Sequence, residues 1–279
     1  MKSKVNDRFI FHAQSSLSFL IITQIINLIT KKEIKIIYDV HDILLRRTIK
    51  TSSIKQQLHN TWYFYKLFQE KYLVSKHTTI ITVSESIKNY LQNTYCFENV
   101  TTILNLPLFT AEGSYTNKTT IKKPFVFFGT LERMPKINKL ENEFNPEIDL
   151  YGKQFKINKI EIEKINPHFH VINEYTPENL KFLHYYEALI LFNPLLINKN
   201  FEFSLPNKFF QSLFFGLKIY CSSNYKEMLC NEFGFKGITK ITSLTELKNH
   251  VCLNSNAIKE NQSILRNLNK LNRQRFSKL

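Results

Sequence analysis

The stretch SLPNKFFQSLFFGLKIYCSS, residues 204–223, encodes a helix, a glycine and a strand in direct succession. Residues 206–215 have the apolar spacing of a helix that packs one face into a core. Gly216 follows this pattern, and glycine commonly ends a helix because it adopts the left-handed backbone conformation without strain. Residues 217–221 form a short apolar run that predicts a buried strand. A helix that leads into a buried strand is a repeating unit of α/β folds.

The same alternation of strand and helix patterns continues on both sides of this stretch. Further strands are predicted at residues 9–12, 34–40, 79–83, 100–104, 125–128, 148–151, 170–172 and 188–192, and further helices at residues 16–30, at residues 53–74, after an N-cap at Ser84 and from Thr176-Pro177. Strands that alternate with helices predict parallel sheets built from βαβ units. In such sheets, ligands bind at the carboxyl ends of the strands.

A polar segment at residues 110–123 lacks apolar periodicity and is the predicted linker. We therefore predict an N-terminal Rossmann-like domain at residues 1–109 and a C-terminal Rossmann-like domain at residues 124–254. A basic C-terminal helix is predicted at residues 255–279. The predicted fold class is α/β, with two parallel sheets that face each other across a cleft, where ligands are expected.

The chain of 279 residues carries a net charge of +15, which calls for an anionic partner or surface. The basic residues are spread along the chain, and no zinc-finger, RNP or helix-turn-helix pattern accompanies them. Nucleic acid is therefore not expected as a partner. The remaining anions are the diphosphate of a nucleotide sugar and the headgroups of a bacterial inner membrane. The basic stretch at residues 255–279 fits either an anionic surface or an ordinary solvated helix face.

Cysteine usage and hydropathy predict a cytoplasmic location. The four cysteines have no CxxC pair and no His/Cys ligand spacing, which predicts reduced thiols and no metal site. No signal peptide is expected, and the most hydrophobic window, residues 9–29, contains too many polar side chains for a membrane helix. We expect a cytoplasmic protein with a peripheral contact at the cytoplasmic face of the inner membrane.

Six segments form an ordered series along the chain: YDVHD (residues 38–42), TIITVSESIKNYL (79–91), VTTILNLPLF (100–109), FVFFGTL (125–131), IDLYGK (148–153) and SLPNKFFQSLFFGLKIYCSS (204–223). In this order they resemble glycosyltransferase family 4. The last segment matches the family's lPnKlfEymaaGlpvias stretch nearly residue for residue. The resemblance implies a GT-B enzyme that moves a sugar from a nucleoside diphosphate sugar to an acceptor hydroxyl with retention. It also implies a shortened N-terminal domain, because the family's first βα units have no counterpart here.

The resemblance implies a donor site at the start of the helix at residues 206–215. Lys208 is expected to stabilise charge on the β-phosphate, because its ammonium group adds to the helix dipole and the terminal backbone N–H groups. Asn207 lies beside it. Gln211 stands where the family has a ribose-binding glutamate, and the carboxylate nearest to the family's second glutamate is Glu202. The alternatives are an ordinary surface lysine and a helix that only packs.

The resemblance adds two further groups to the site. Gly129 and Thr130 stand where the family has Gly-Arg, so Arg133 and Lys136 are the expected diphosphate contacts, with loop solvation as the alternative. Gly129 also permits close approach of the nucleotide to the backbone. His41 ends a buried strand and matches a histidine near the transferred sugar. We expect it to position sugar hydroxyls, with a purely structural histidine as the alternative.

The expected function is therefore a hexosyltransferase of envelope-glycan synthesis, for lipopolysaccharide or capsule. The donor is expected to be UDP- or GDP-linked, with no cofactor. No metal is expected either, although Asp39 and Asp42 flank His41, because GT-B enzymes generally use protein cations. One alternative is a catalytically weak or inactive GT-B partner subunit, which Gln211 and the short N-terminal domain favour. Another is a sugar-nucleotide epimerase with the same two-domain shape.

Overall fold

The computed structural model describes residues 8–12, 16–30, 35–43, 54–106, 122–130, 147–153, 169–171, 179–191, 207–221 and 230–279. These residues fall into two compact units. The described residues of the first unit lie within Met1–Leu104 and Asn272–Leu279, and those of the second lie within Asn105–Asn198 and Pro206–Leu271. Each unit contains a sheet of parallel strands.

The sheet of the first unit has the strand order β1-β2-β3-β4, and every neighbouring pair is parallel. Its strands are β1 (Arg8–His12), β2 (Lys35–Val40), β3 (Thr79–Thr82) and β4 (Val100–Thr102). The register places Ile37 of β2 opposite Thr79 of β3, and Ile80 of β3 opposite Val100 of β4. The last four residues of β2 are all buried, as expected for a strand covered on both faces.

Three α-helices accompany this sheet. They are α1 (Leu17–Thr30), α2 (Ile54–Phe68), which continues into a π-helix at Gln69–Leu73, and α3 (Glu85–Tyr95). α3 begins where the sequence predicts, because the Ser84 hydroxyl accepts a hydrogen bond from the N–H of Ile87 at 3.2 Å. Ile87, Leu91 and Tyr95 recur every four residues and are buried, so one face of α3 enters the core.

The sheet of the second unit has the strand order β10-β9-β8-β5-β6-β7, again with parallel pairs throughout. Its strands are β5 (Lys123–Thr130), β6 (Ile148–Lys153), β7 (Phe169–Val171), β8 (Tyr186–Leu191), β9 (Lys218–Cys221) and β10 (Ile238–Lys240). β5 lies in the interior of the sheet, and its consecutive residues Phe125, Val126, Phe127 and Phe128 are all buried. Since the strands are parallel, their carboxyl ends share one edge of the sheet and their amino ends share the opposite edge.

The helical elements of the second unit include the helix quoted first. They are a 3₁₀-helix at Lys181–Tyr185, α4 (Asn207–Phe214), a 3₁₀-helix at Leu244–Asn249, and α5 (Ser255–Lys278), whose last residues belong to the first unit. Gly216 has a φ of +79° and donates its N–H to the carbonyl of Leu213 at 3.1 Å. Leu217 donates to the carbonyl of Ser212 at 3.0 Å, which completes a Schellman motif. The predicted glycine end of this helix is therefore confirmed.

Two asparagine side chains of α5 bind backbone groups, each within its own unit. Asn261 is fully buried and pairs with the N–H and the carbonyl of Lys236 at 2.8 and 3.0 Å. Asn272 pairs in the same two-bond manner with Leu104, at 3.2 and 2.7 Å. These paired bonds satisfy backbone groups that no strand or helix satisfies, so α5 is fixed at both places. The helix is thus more than a solvated face.

The predicted α/β class with parallel sheets is confirmed, and each strand expected from the sequence has a counterpart. The sequence analysis missed β10, a strand of only three residues.

β5 begins at Lys123, inside the predicted linker at residues 110–123, most of which lies outside the described residues. The domain bounds therefore stay a prediction. The helix start at Thr176-Pro177 also lies outside the described part. None of the described helices combines the length and the apolar character that crossing a membrane requires.

Candidate functional site

The carboxyl end of β5 and the first turn of α4 meet in the second unit. Gly129, next to last in β5, is buried and has a φ of +145°. A Cβ at this position would collide with Nζ of Lys208 and would lie 3.4 Å from its Cε. Glycine therefore permits both the backbone conformation and the approach of the lysine. From the sequence we predicted close approach of a nucleotide to Gly129. In the structure, the side chain of Lys208 lies against Gly129.

The ammonium group of Lys208 also lies over an aromatic face. Its Nζ is 4.7 Å from the ring centroid of Phe127, a buried residue of β5. Such a cation–π contact contributes about 0.5–1 kcal/mol when exposed and about 2 kcal/mol when desolvated. The helix dipole disfavours a cation in a first turn by about 0.3–1 kcal/mol, which the aromatic contact offsets. A positive charge is thus held at the helix end toward which the backbone N–H groups point.

Two amide side chains belong to the same helix. Asn207 is exposed at the first residue of α4, and Gln211, four residues later, is 8% exposed. Residues at this spacing share a helix face. Phe209 and Leu213 are completely buried, as expected if α4 also packs against the sheet. One helix can therefore serve both purposes, because its apolar side chains pack in the core while its first turn belongs to the candidate site.

The other predicted donor contacts lie only partly in the described structure. Thr130 is the last residue of β5 and shares the carboxyl strand end with Gly129. Arg133, Lys136 and Glu202 lie outside the described residues. The donor-binding roles of all these residues stay predictions.

His41 follows β2 in the first unit, directly after the buried carboxyl end of that strand. Its Nε2 lies 2.9 Å from Oδ2 of Asp39, whose side chain is 10% exposed. The hydrogen bond to Asp39 raises the pKa of His41 by more than burial lowers it. The imidazole therefore keeps its proton to higher pH than a free histidine does. A protonated ring suits the donation of hydrogen bonds to sugar hydroxyls better than the removal of a proton.

A network around the buried carboxylate of Asp149, at the amino-end edge of the second sheet, was not predicted. Asp149 on β6 accepts hydrogen bonds from Nζ of Lys123 at 2.7 Å and from the hydroxyl of Tyr186. Burial acts to raise the pKa of Asp149, but these two bonds lower it by more, and the carboxyl stays ionised. The three residues come from three strands at their amino ends, so no local sequence pattern reveals the network. It joins neighbouring strands and lies away from Gly129.

Similarity to known proteins is found among solved structures. No protein-family model matches this chain, and no curated protein matches it. Among solved structures, 38 chains match.

Three of these solved structures illustrate the level of similarity. The glycotransferase of kitacinnamycin is 12% identical, with a TM-score of 0.41, and the match covers 98% of this chain and 72% of that one. The glycosyltransferase SnogD from Streptomyces nogalater is 7% identical, with a TM-score of 0.44 and coverage of 94% and 68%. The accessory secretory protein 1, 2 and 3 structure from Streptococcus pneumoniae is 12% identical, with a TM-score of 0.43 and coverage of 96% and 50%.

Proposed function

We propose that this chain is a retaining GT-B glycosyltransferase of the family 4 kind, which acts at the cytoplasmic face of the inner membrane. It would transfer a sugar from a UDP- or GDP-linked donor to a lipopolysaccharide or capsule acceptor. The observation that carries the proposal is the Lys208 ammonium group, held against Gly129 at the carboxyl end of a parallel sheet. That edge is where parallel α/β sheets bind their ligands.

The proposed chemistry needs positive charge at this position. Sugar transfer breaks the bond between the anomeric carbon and an oxygen of the β-phosphate, and the diphosphate leaves with added negative charge. Lys208 and the amino end of α4 would stabilise that charge in the transition state. The proton of the acceptor hydroxyl passes to the leaving phosphate, so the new bond forms on the face that the leaving group vacates. No strong protein base is required.

The other residues would bind the donor. We propose contacts to the diphosphate from Thr130, Arg133, Lys136 and Asn207, and contacts to the ribose from Gln211 and Glu202. Gln211 offers a neutral amide where a carboxylate would give a hydrogen bond roughly twice as strong, so donor affinity should be modest. His41 would donate hydrogen bonds to hydroxyls of the transferred sugar.

Thermal unfolding with a panel of nucleotides tests the proposal. UDP or GDP should raise the Tm, with a linkage gain of about 2.7 kcal/mol at 100 times Kd, whereas a monophosphate should act weakly. Lys208→Ala should weaken diphosphate binding by about 1.5–3 kcal/mol, because one charge-assisted contact is lost. Gly129→Ala should do the same, because its Cβ displaces the Lys208 ammonium group.

Lys240→Ala is the matched control, since Lys240 is an exposed lysine of β10 in the same unit. It should bind the diphosphate as the parent does. If Lys208→Ala also binds as the parent does, the diphosphate site lies elsewhere. If no diphosphate raises the Tm of the parent, with or without magnesium, the transferase proposal fails.

The second candidate is a catalytically weak GT-B chain that acts as a partner subunit. An apolar exposed surface on α1 favours it, since Phe19, Ile22, Leu28 and Ile29 are between 52% and 79% exposed. Apolar patches of this kind usually mark interaction surfaces. A chain that binds no nucleotide and sediments as a concentration-dependent oligomer would support this candidate over the first.

A further inference from the structure

Three side chains with metal-binding atoms come together in the second unit. Glu187 is the second residue of β8, His250 directly follows the 3₁₀-helix at Leu244–Asn249, and Cys252 lies two residues further along. Their ligand atoms all lie within 4.8 Å of one another. Within the described residues, this is the one group of three or more His, Cys, Asp or Glu side chains so arranged.

His250 is held rigidly within this group. Its side chain is 10% exposed, with Nε2 3.1 Å from Oε2 of Glu187 and Nδ1 2.9 Å from the hydroxyl of Tyr220. Its ring packs edge-on against Phe125, with centroids 5.2 Å apart. Its backbone N–H donates to the carbonyl of Leu247 at 3.0 Å, which fixes the chain where it leaves the 3₁₀-helix. The imidazole is therefore oriented before any ligand binds.

A cation lies close to this group of side chains. Nζ of Lys218 donates to the carbonyl of Val251 at 3.3 Å, and Val251 stands between His250 and Cys252. A positive charge at this distance repels a metal ion, so the affinity should be below that of closed four-ligand sites.

We propose that Glu187, His250 and Cys252 bind a divalent transition-metal ion of the zinc type. A carboxylate oxygen, an imidazole nitrogen and a thiolate sulfur are the three kinds of ligand that zinc takes in proteins. Metal–ligand bonds of about 2.0–2.3 Å place tetrahedral ligand atoms roughly 3.3–3.8 Å apart. The nitrogen and the oxygen here are 3.1 Å apart, and the sulfur lies within 4.8 Å of both. Water would take the fourth position.

Binding requires a balanced movement of protons. The Cys252 thiol loses its proton to solvent as the sulfur–metal bond forms, so each ion bound releases one proton. His250 donates the lone pair of Nε2 to the metal and carries its proton on Nδ1, where the oxygen of Tyr220 accepts the hydrogen bond. In the metal-free chain Nε2 donates to the Glu187 carboxylate and Nδ1 accepts from the Tyr220 hydroxyl, so metal binding moves the ring proton from Nε2 to Nδ1. Tyr220 can accept as well as donate, and it is therefore a positioning residue that holds Nδ1 in either tautomer.

This site lies away from the proposed transfer chemistry. Glu187 is near the amino end of β8, whereas Gly129 is at the carboxyl end of β5, and these ends form opposite edges of a parallel sheet. The ion would tie residues 250–252 to β8 and would take no part in sugar transfer. The sequence analysis reported no His/Cys ligand spacing because it overlooked the pair formed by His250 and Cys252. The third ligand, Glu187, lies 63 residues before His250, so no local pattern connects it with that pair. The site is therefore proposed against the expectation of no metal.

Cobalt substitution tests the site in the full-length chain. The reduced, chelator-treated protein is titrated with Co²⁺, and its absorption spectrum is recorded. We expect a thiolate-to-cobalt charge-transfer band that saturates at one ion per chain and is bleached by Zn²⁺. The band should disappear in Cys252→Ser and persist in Cys96→Ser, the control at another exposed cysteine. No band in the parent, or a band that survives Cys252→Ser, overturns the proposal.

Two further measurements separate ligation from a general loss of structure. Tyr220→Phe should keep the circular dichroism of the parent and weaken Co²⁺ binding roughly 10- to 100-fold, the usual effect of removing an outer-shell partner. Zn²⁺ should raise the Tm of the parent and of Cys96→Ser but not that of Cys252→Ser or Glu187→Gln. An equal rise in all four proteins means that Zn²⁺ binds elsewhere, and the proposal then fails.

Discussion

Glu70 is a carboxyl group whose surroundings favour its protonated form. It is 1% exposed in the first unit, and the hydroxyl of Tyr38 donates to its Oε1 at 2.7 Å. Burial raises the pKa of Glu70 to about 7, against the lowering effect of the hydrogen bond from Tyr38. The folded chain therefore keeps this proton at pH values where the unfolded chain has lost it. Glu70 should therefore make a contribution of its own to the pH dependence of folding stability.

The free energy of unfolding should fall as pH rises from about 4.5 to about 7, because the folded state then binds more protons than the unfolded state. The shift corresponds to roughly 3 kcal/mol. Glu70→Gln keeps an acceptor for the Tyr38 hydroxyl but removes the titration, so the variant should be more stable than the parent at pH 8. Urea unfolding at pH 5 and pH 8 measures this, with the exposed Glu98→Gln as control. Parallel pH dependences in Glu70→Gln and the parent would contradict the assignment.

At the scale of elements, the end of α4 depends on a close contact with α5. Gly216 has a φ of +79°, and a Cβ there would lie 3.1 Å from two carbons of Ile258. Gly234 has a similar φ of +76° but nothing within 4 Å of such a Cβ. The two glycines thus separate backbone strain from steric crowding.

Gly234→Ala should destabilise the protein by about 1–2 kcal/mol, the range for a left-handed residue with a side chain. Gly216→Ala should destabilise it by more, because Ile258 must also move. Chemical denaturation of both variants gives the difference directly. Equal losses would show that the α4–α5 contact relaxes without cost, and a Gly216→Ala variant as stable as the parent would contradict the Schellman geometry.

The sequence predicts elements well where a local pattern is enough. β2 and β5 are apolar runs because they are covered on both faces, and Gly216 is a local signal of a helix end. β10 was missed, and its place in the sheet is fixed by pairing with β9 rather than by a local pattern. Contacts between distant residues leave no local trace. The pair of Glu70 with Tyr38 joins residues 32 positions apart, and only folding brings them together.

The same distinction holds for the candidate site. The helix start with Lys208 was found because residues 204–223 resemble a family stretch, whereas the contact of the Lys208 side chain with Gly129 joins distant positions of the chain and leaves no local pattern. The cluster of Glu187, His250 and Cys252 has no such resemblance, and its members meet only because β8 lies beside the segment after the 3₁₀-helix.

At the scale of the whole molecule, charge and exposed aromatic side chains favour the same kind of surface. The chain has a net charge of +15. Several aromatic residues of α2 and the π-helix after it are between 46% and 62% exposed: Trp62, Phe64, Tyr65, Phe68 and Tyr72. Aromatic rings favour the boundary between lipid and water, and anionic lipid attracts basic residues by about 1 kcal/mol each. This combination supports a peripheral contact with an anionic membrane.

Trp62 is the single tryptophan of the chain and is 51% exposed, so its fluorescence reports directly on this surface. We expect its emission to shift to shorter wavelength with vesicles that contain anionic lipid, because the indole leaves water. The shift should be smaller with neutral vesicles and should weaken as salt shortens the Debye length from about 30 Å at 0.01 M to about 8 Å at 0.15 M.

Tyr72→Ser should reduce vesicle binding, whereas Tyr185→Ser, at a tyrosine 54% exposed in the second unit, should not. A shift that is equal on neutral vesicles and indifferent to salt would mean that charge takes no part. Equal binding by both tyrosine variants would place the membrane contact on another face.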